Sequence, residues 1–106
     1  MSGRKSEKNK YRIFFENKQA RKSYEKYTSR SSPKIREQIN KEIKKIEENP
    51  YIAGAPLSGD LGGLWSSRTG DFRIIYEILQ EEKQVNIINL GPRGNIYKKI
   101  KLKLIF

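Results

Sequence analysis

A chain of 106 residues has room for one domain around a single core, because a fold of this size buries roughly two-thirds of its unfolded surface. Its 23 Lys and Arg against 12 Asp and Glu leave a formal charge of +11, a field that draws polyanions, nucleic acid first, and repels cations. The absence of cysteine removes disulfides, thiolate metal ligands and thiolate nucleophiles and points to the cytoplasm, while no stretch reaches the roughly 18 to 20 apolar residues of a spanning helix, so no membrane partner is expected.

Residues 1–10 are polar and basic with no apolar run of a secretory signal, and they read as a disordered N-terminus ahead of one domain over residues 11–99. Tyr11 to Phe15 alternates as a short strand, with Tyr11, Ile13 and Phe15 on one face. Asn17 is a candidate N-cap for a first helix in which Ala20, Tyr24 and Tyr27 recur at helical spacing, before the polar run from Thr28 to Ser32 interrupts it. Ser32 followed by Pro33 starts a second helix: the serine caps free amides, and proline in the first turn forfeits no bond. Its stripe is Ile35, Ile39, Ile43 and Ile46, and Asn49 with Pro50 ends it. The short link between the two predicts an antiparallel helical hairpin. The remaining charges of the second helix read as a solvated face, with Glu37–Lys41 and Lys44–Glu48 spaced for ion pairs.

Tyr51 to Gly63, rich in Gly and Pro, reads as a connecting segment. Leu64–Arg68, Asp71–Leu79 and Val85–Leu90 then alternate as strands of an antiparallel meander, turning at Thr69 with Gly70 and at Glu81 to Lys83. Phe72, Ile74, Tyr76 and Ile78 share the face that packs on the isoleucine stripe, leaving Arg73, Ile75 and Glu77 on the other. Residues 100–106 alternate Lys with Ile, Leu and Phe, as an edge strand or a partner-binding tail would. The fold class expected is therefore α+β, an antiparallel sheet carrying a two-helix hairpin on one face in the order β-α-α-β-β-β.

There is no histidine, the carboxylates show no spacing that gathers them around a divalent ion, and Gly59, Gly62 and Gly63 lack the Lys and Ser or Thr of a nucleotide-binding loop. No metal or other cofactor is expected. What remains is a run of basic and aromatic residues on and after the meander: Arg68, Arg73, Arg93, Tyr97, Lys98, Lys99 and Lys101. Arginine offers a planar fork to phosphate oxygens, and tyrosine stacks on unpaired bases. Cleaving RNA without a metal requires an aligned 2′-hydroxyl, a proton moved at each end and stabilisation of charge on the phosphate. From strand position alone, Arg73 is equally an exposed residue paired with a neighbouring carboxylate, and Tyr97 equally an edge aromatic.

The stretch Gly70, Asp71, Phe72, Arg73, Ile74, Ile75, Tyr76, followed by Leu90, Gly91, Pro92, Arg93 and by Ile96 with Tyr97, resembles the paired signature of the RelE/ParE toxins. The resemblance runs over about residues 11–99. Likeness to the RelE branch implies a toxin of a type II toxin-antitoxin system, a ribosome-dependent, metal-free mRNA endonuclease that inhibits translation and is silenced by a cognate antitoxin. It gives Arg73 the stabilisation of the charged transition state, Arg93 the leaving oxygen and Tyr97 the ordering of the cleaved nucleotide. Arg68, Lys98, Lys99 and Lys101 would hold RNA phosphates. Where active RelE proteins carry lysines, an ungapped reading places Leu64 and Ser66, and Pro92 stands where many relatives have histidine. The general base is thereby unassigned, with Lys98 or Lys99 as substitutes. The alternatives are a ParE-like toxin that inhibits DNA gyrase and a degenerate relative that only binds RNA or antitoxin.

Overall fold

The computed structural model describes residues 10–30, 32–94 and 96. Strand β1, Arg12–Phe15, leads into helix α1, Lys18–Ser29, and helix α2, Pro33–Glu48. A short helix α3, Pro50–Ala53, a two-residue strand β2, Ala55–Pro56, and a 3-10 turn, Gly59–Leu61, precede strands β3, Trp65–Thr69, β4, Phe72–Leu79, and β5, Gln84–Pro92. The expected α+β order is present, with α3, β2 and the 3-10 turn formed inside the segment read as a connection.

The expected caps account for the helix starts. Asn17 Oδ1 accepts the Ala20 N–H at 2.9 Å, and Ser32 Oγ accepts from Ile35 with Pro33 in the first turn. Asn49 ends α2, its N–H donating to the Lys45 carbonyl, and its side chain accepts from Tyr51 at 3.1 Å to start α3. The residues that stop one helix therefore begin another, which the proline at the head of α3 favours.

The five strands lie in the order β1-β5-β4-β3-β2. Only part of this is the expected antiparallel meander: β2, β3, β4 and β5 pair antiparallel, but β1 lies parallel to β5, with Arg12 opposite Gln84 and Phe15 opposite Ile87. The helical hairpin returns the chain across one face between β1 and its neighbour, so the two strands run the same way. The β3–β4 hairpin closes on Gly70 and Asp71 between the paired Thr69 and Phe72, with φ +57° at Gly70, a backbone that a side-chain-bearing residue rarely adopts.

The core fills the helix-facing side. Ile39 and Ile46, a full two turns apart on α2, are completely buried against Ile74, Tyr76, Val85 and Ile87, with Ile35 and Ile43 packed at the margins. Gly54 is required by close approach, since a Cβ there would sit 2.4 Å from the Tyr76 hydroxyl and 2.7 Å from the Ser66 carbonyl oxygen. On the opposite face a smaller cluster joins Ile75, Leu61 and Ile96, with Leu57, Leu64 and Ile88 around it.

The β4–β5 ladder carries a bulge. Tyr76 faces Ile87 while Ile75 faces Asn89, leaving Ile88 as the extra residue. Simple alternation would place Val85, Ile87, Asn89 and Gly91 on one face. The bulge instead brings Ile87 and Leu90, three residues apart, into the same helix-facing core and sends Gly91 to the other side.

Candidate functional site

The cationic residues of the meander meet at one end of the sheet. Arg68 near the end of β3 and Arg73 near the start of β4 are directly opposed, and Gly91 on β5 is opposite Arg73 from the other side. Directly opposed residues project to the same face, about 5 Å apart at Cα. Like charges in this position repel, so the pair costs stability. The Arg93 N–H donates to the Asp71 carbonyl at 2.9 Å, extending the ladder past Pro92 and holding Arg93 at the same end.

Arg73 lies on the face of Ile75, away from α2, as the alternation predicted. It is half-buried, and its Nη1 is shielded from solvent without a hydrogen-bond partner among the described residues. A buried guanidinium nitrogen left without an acceptor costs about 1–3 kcal/mol or more. No hydrogen bond or ion pair engages the rest of the Arg73 guanidinium among the described residues, so the part of it that reaches solvent is not spent on a protein acceptor. Arg68 and Arg93 are exposed. Beyond the last β2 pairing Arg68 stands at the open edge of β3, and there it also borders a recess of about 470 Å³ on the helix-facing side with Glu42, Lys45, Glu48, Asn49, Ile52 and Ala53. Tyr97, Lys98, Lys99 and Lys101, and the flanking segments 1–9 and 100–106, lie outside the described residues.

Two polar side chains at or near this end escaped the sequence reading. Glu42, assigned to a solvated helix face, is buried: Ser67 on β3 donates its hydroxyl to the Glu42 carboxylate, and Lys45 Nζ lies 3.8 Å from the other oxygen. Among the described residues this pair replaces the expected Glu37–Lys41 and Lys44–Glu48 pairs. The signal was available, since Glu42 follows Ile39 by three residues and precedes Ile46 by four and so shares their face. Tyr27 is the second. It packs edge-on against Phe72 at 5.1 Å and reaches Gly91, and only the packing of α1 on β5 reveals this.

Tyr76 has a different role. It is fully buried, donates to the Pro50 carbonyl at 2.6 Å, and its phenol is pushed well above the ordinary range by burial and then by the charge of Glu42. It stays protonated and ties the sheet to α3. Among the described residues no group of three or more His, Cys, Asp or Glu is placed to hold a metal ion, and no helix is long and apolar enough to cross a membrane.

Comparison with known proteins gives this arrangement a context. Residues 18–101 match the family of ParE-like toxins of type II bacterial toxin-antitoxin systems. The chain is 42% identical over 50 residues to toxin RelE of Mycobacterium tuberculosis, covering 47% of this chain and 52% of that toxin, and 33% identical over 54 residues to toxin RelG of the same organism, covering 51% and 62%. The matching stretch thus spans about half the length of the first relative and under two-thirds of the second. Its fold resembles the RelBE2 toxin-antitoxin complex of Mycobacterium tuberculosis, with a TM-score of 0.66 and 26% identity over 79% of this chain and 99% of that one. The archaeal RelE–RelB complex of Pyrococcus horikoshii gives a TM-score of 0.60 and 25% identity over 80% and 97%. The family match takes in α1, α2 and every strand from β2 to β5, and with it the opposed arginines of the sheet end: the chain belongs to the ParE-like toxins of type II toxin-antitoxin systems, within the RelE/ParE superfamily.

Proposed function

We propose that the chain is a RelE-type toxin: a metal-free endonuclease that cleaves messenger RNA on the ribosome, acts in the cytoplasm and is silenced by a cognate antitoxin. The observation that carries this reading is the opposed Arg68–Arg73 pair with the buried, unbonded Nη1 of Arg73. A fold that tolerates like charges in register and a desolvated donor has kept them for an anionic ligand. Arg73 stabilises the charge that develops on the scissile phosphate, Arg93 assists the leaving oxygen, and Arg68 holds a flanking phosphate. The ribosome aligns the 2′-hydroxyl, a task that the described residues leave to their surroundings. The net charge of +11 favours both ribosomal RNA and an acidic antitoxin segment laid over the same end of the sheet. Likeness to a toxin named RelE, and to toxin chains solved with RelB antitoxins, supports the same reading.

The test is a purified translation reaction with a defined message and either wild-type protein or Arg73→Ala, mapped by primer extension. Codon-registered cleavage by the wild type, reduced at least about 100-fold in the variant, is expected. Intact message with both rejects the endonuclease reading.

A second reading, inhibition of DNA gyrase, is favoured by one observation. Leu64, at a position where the RelE branch carries lysine, packs against the Ile75–Leu61–Ile96 cluster and offers no cation. Loss of supercoiling by gyrase in the presence of the protein, with message left intact, would establish it.

A further inference from the structure

We infer that Tyr27, on α1, is a further substrate-contacting residue, its hydroxyl donating to a phosphoryl oxygen of single-stranded RNA held by Arg73; the inference rests on the endonuclease reading. Four described tyrosines, Tyr11, Tyr24, Tyr51 and Tyr76, place their hydroxyls on protein acceptors: Gln80, Asn40, Gln80 and the Pro50 carbonyl. The Tyr27 hydroxyl has no such acceptor among the described residues. Its ring is fixed nonetheless, edge-on to Phe72 at 5.1 Å and with Lys26 Nζ 5.3 Å from its centroid.

The position of that hydroxyl follows from Gly91. A Cβ built at Gly91 would lie 3.8 Å from the Tyr27 hydroxyl and 3.8 Å from Ile96 Cδ1, and Ile96 belongs to the cluster on the face of Ile75. Gly91 is also the direct partner of Arg73, so the side chain it lacks would point where Arg73 points. Tyr27 reaches this side because β1 pairs with β5 only as far as Ile87, leaving the end of β5 to α1. Its hydroxyl therefore borders the space that glycine leaves open, on the face to which Arg73 projects from the adjacent strand.

A cavity of about 50 Å³ lies beside Gly91, lined by Tyr27, Asn89, Leu90, Gly91, Pro92 and Ile96 with Ser23, and Arg73 on the adjacent strand is not part of its wall. The cavity is large enough for a water or one oxygen of a phosphate and too small for a base. Asn89 is buried in this lining and its Oδ1 already accepts the Leu90 N–H, which leaves its amide N–H₂ as a further donor on that side chain. A tyrosine hydroxyl and an asparagine amide on one small cavity, with an arginine on the adjacent strand, suit the phosphoryl oxygens of one backbone.

The experiment compares Tyr27→Phe and Gly91→Ala with wild type in two measurements: single-turnover cleavage in the translation reaction, and binding of a non-cleavable 2′-deoxy-substituted RNA oligonucleotide by fluorescence anisotropy. Phenylalanine keeps the contact with Phe72, and an alanine Cβ at 3.7–3.8 Å from its neighbours is an ordinary contact, so both variants should fold with unchanged thermal midpoints. Loss of a hydrogen bond to a charged oxygen predicts cleavage about 10- to 100-fold slower in Tyr27→Phe, with weaker oligonucleotide binding, and a reduction in the same direction in Gly91→Ala. Wild-type rates and affinity in Tyr27→Phe overturn the inference while leaving the endonuclease reading intact. If wild type leaves the message whole, the endonuclease reading fails, and the Tyr27 site is judged by oligonucleotide affinity alone: equal affinity, or none in wild type, overturns it as well.

Discussion

Glu42 and Arg73 are both charged side chains drawn into the fold, on opposite faces of the sheet, and they are treated in opposite ways. Glu42 accepts the Ser67 hydroxyl, has Lys45 nearby and lies among the groups that join α2 and α3 to β3. Arg73 faces another arginine across the ladder and keeps a shielded nitrogen without a partner among the described residues. The first is what a structural polar contact looks like, since a buried charge is tolerated when its hydrogen bonds are made. The second is a local conflict that the surrounding fold holds in place, and such conflicts gather where a ligand resolves them.

The contrast is sharpened by removing the partner on each side. Ser67→Ala leaves the Glu42 carboxylate buried without its hydroxyl donor and should cost about 2–3 kcal/mol, read as a lower urea midpoint with an unchanged slope. A loss below about 0.5 kcal/mol would mean that Glu42 is not held as the contact implies. Tyr76→Phe, on the same helix-facing side, removes the bond to the Pro50 carbonyl and should cost about 1 kcal/mol at neutral pH. It also carries a pH signature. Because the folded-state phenol is raised above its ordinary value near 10, the native state binds the proton more tightly than the unfolded chain. The contribution of this group is then constant below about pH 10 and is lost as pH climbs beyond it, and Tyr76→Phe should flatten that fall. The smallest effect is expected at the other group: Arg73→Met removes a desolvated cation and a like-charge pairing, so stability should hold or rise by up to about 1 kcal/mol. A loss of 2 kcal/mol or more would make Arg73 a structural residue and dissolve the comparison.

Much of the scaffold was legible because its determinants are local. Asn17, Ser32 with Pro33, and Asn49 with Pro50 mark helix ends by chemistry confined to one turn, and the helix starts and stops follow them. The isoleucine stripe and the alternation in β4 repeat with the periods of their elements, and the two faces meet in the core as the pattern requires. Glu42 was within reach of the same periodicity and was misassigned by composition, its inward spacing outweighed by its charge. Arg68, Arg73 and Arg93 were legible as a cationic group, but their meeting at one end of the sheet depends on register.

By itself, then, the sequence determined the elements, the hydrophobic faces and the strong positive charge, all of which follow from side-chain chemistry read at a period of 2 or 3.6. Only the tertiary structure decided that β1 lies parallel to β5, that Tyr27 reaches Gly91, and that Gly91 is opposite Arg73. The last of these rests on one bulged residue, Ile88. Local alternation puts Gly91 on the helix side, and the bulge reverses it because burying both Ile87 and Leu90 against the helices outweighs one unpaired position in the ladder. That balance involves residues distant in sequence, and no local pattern carries it.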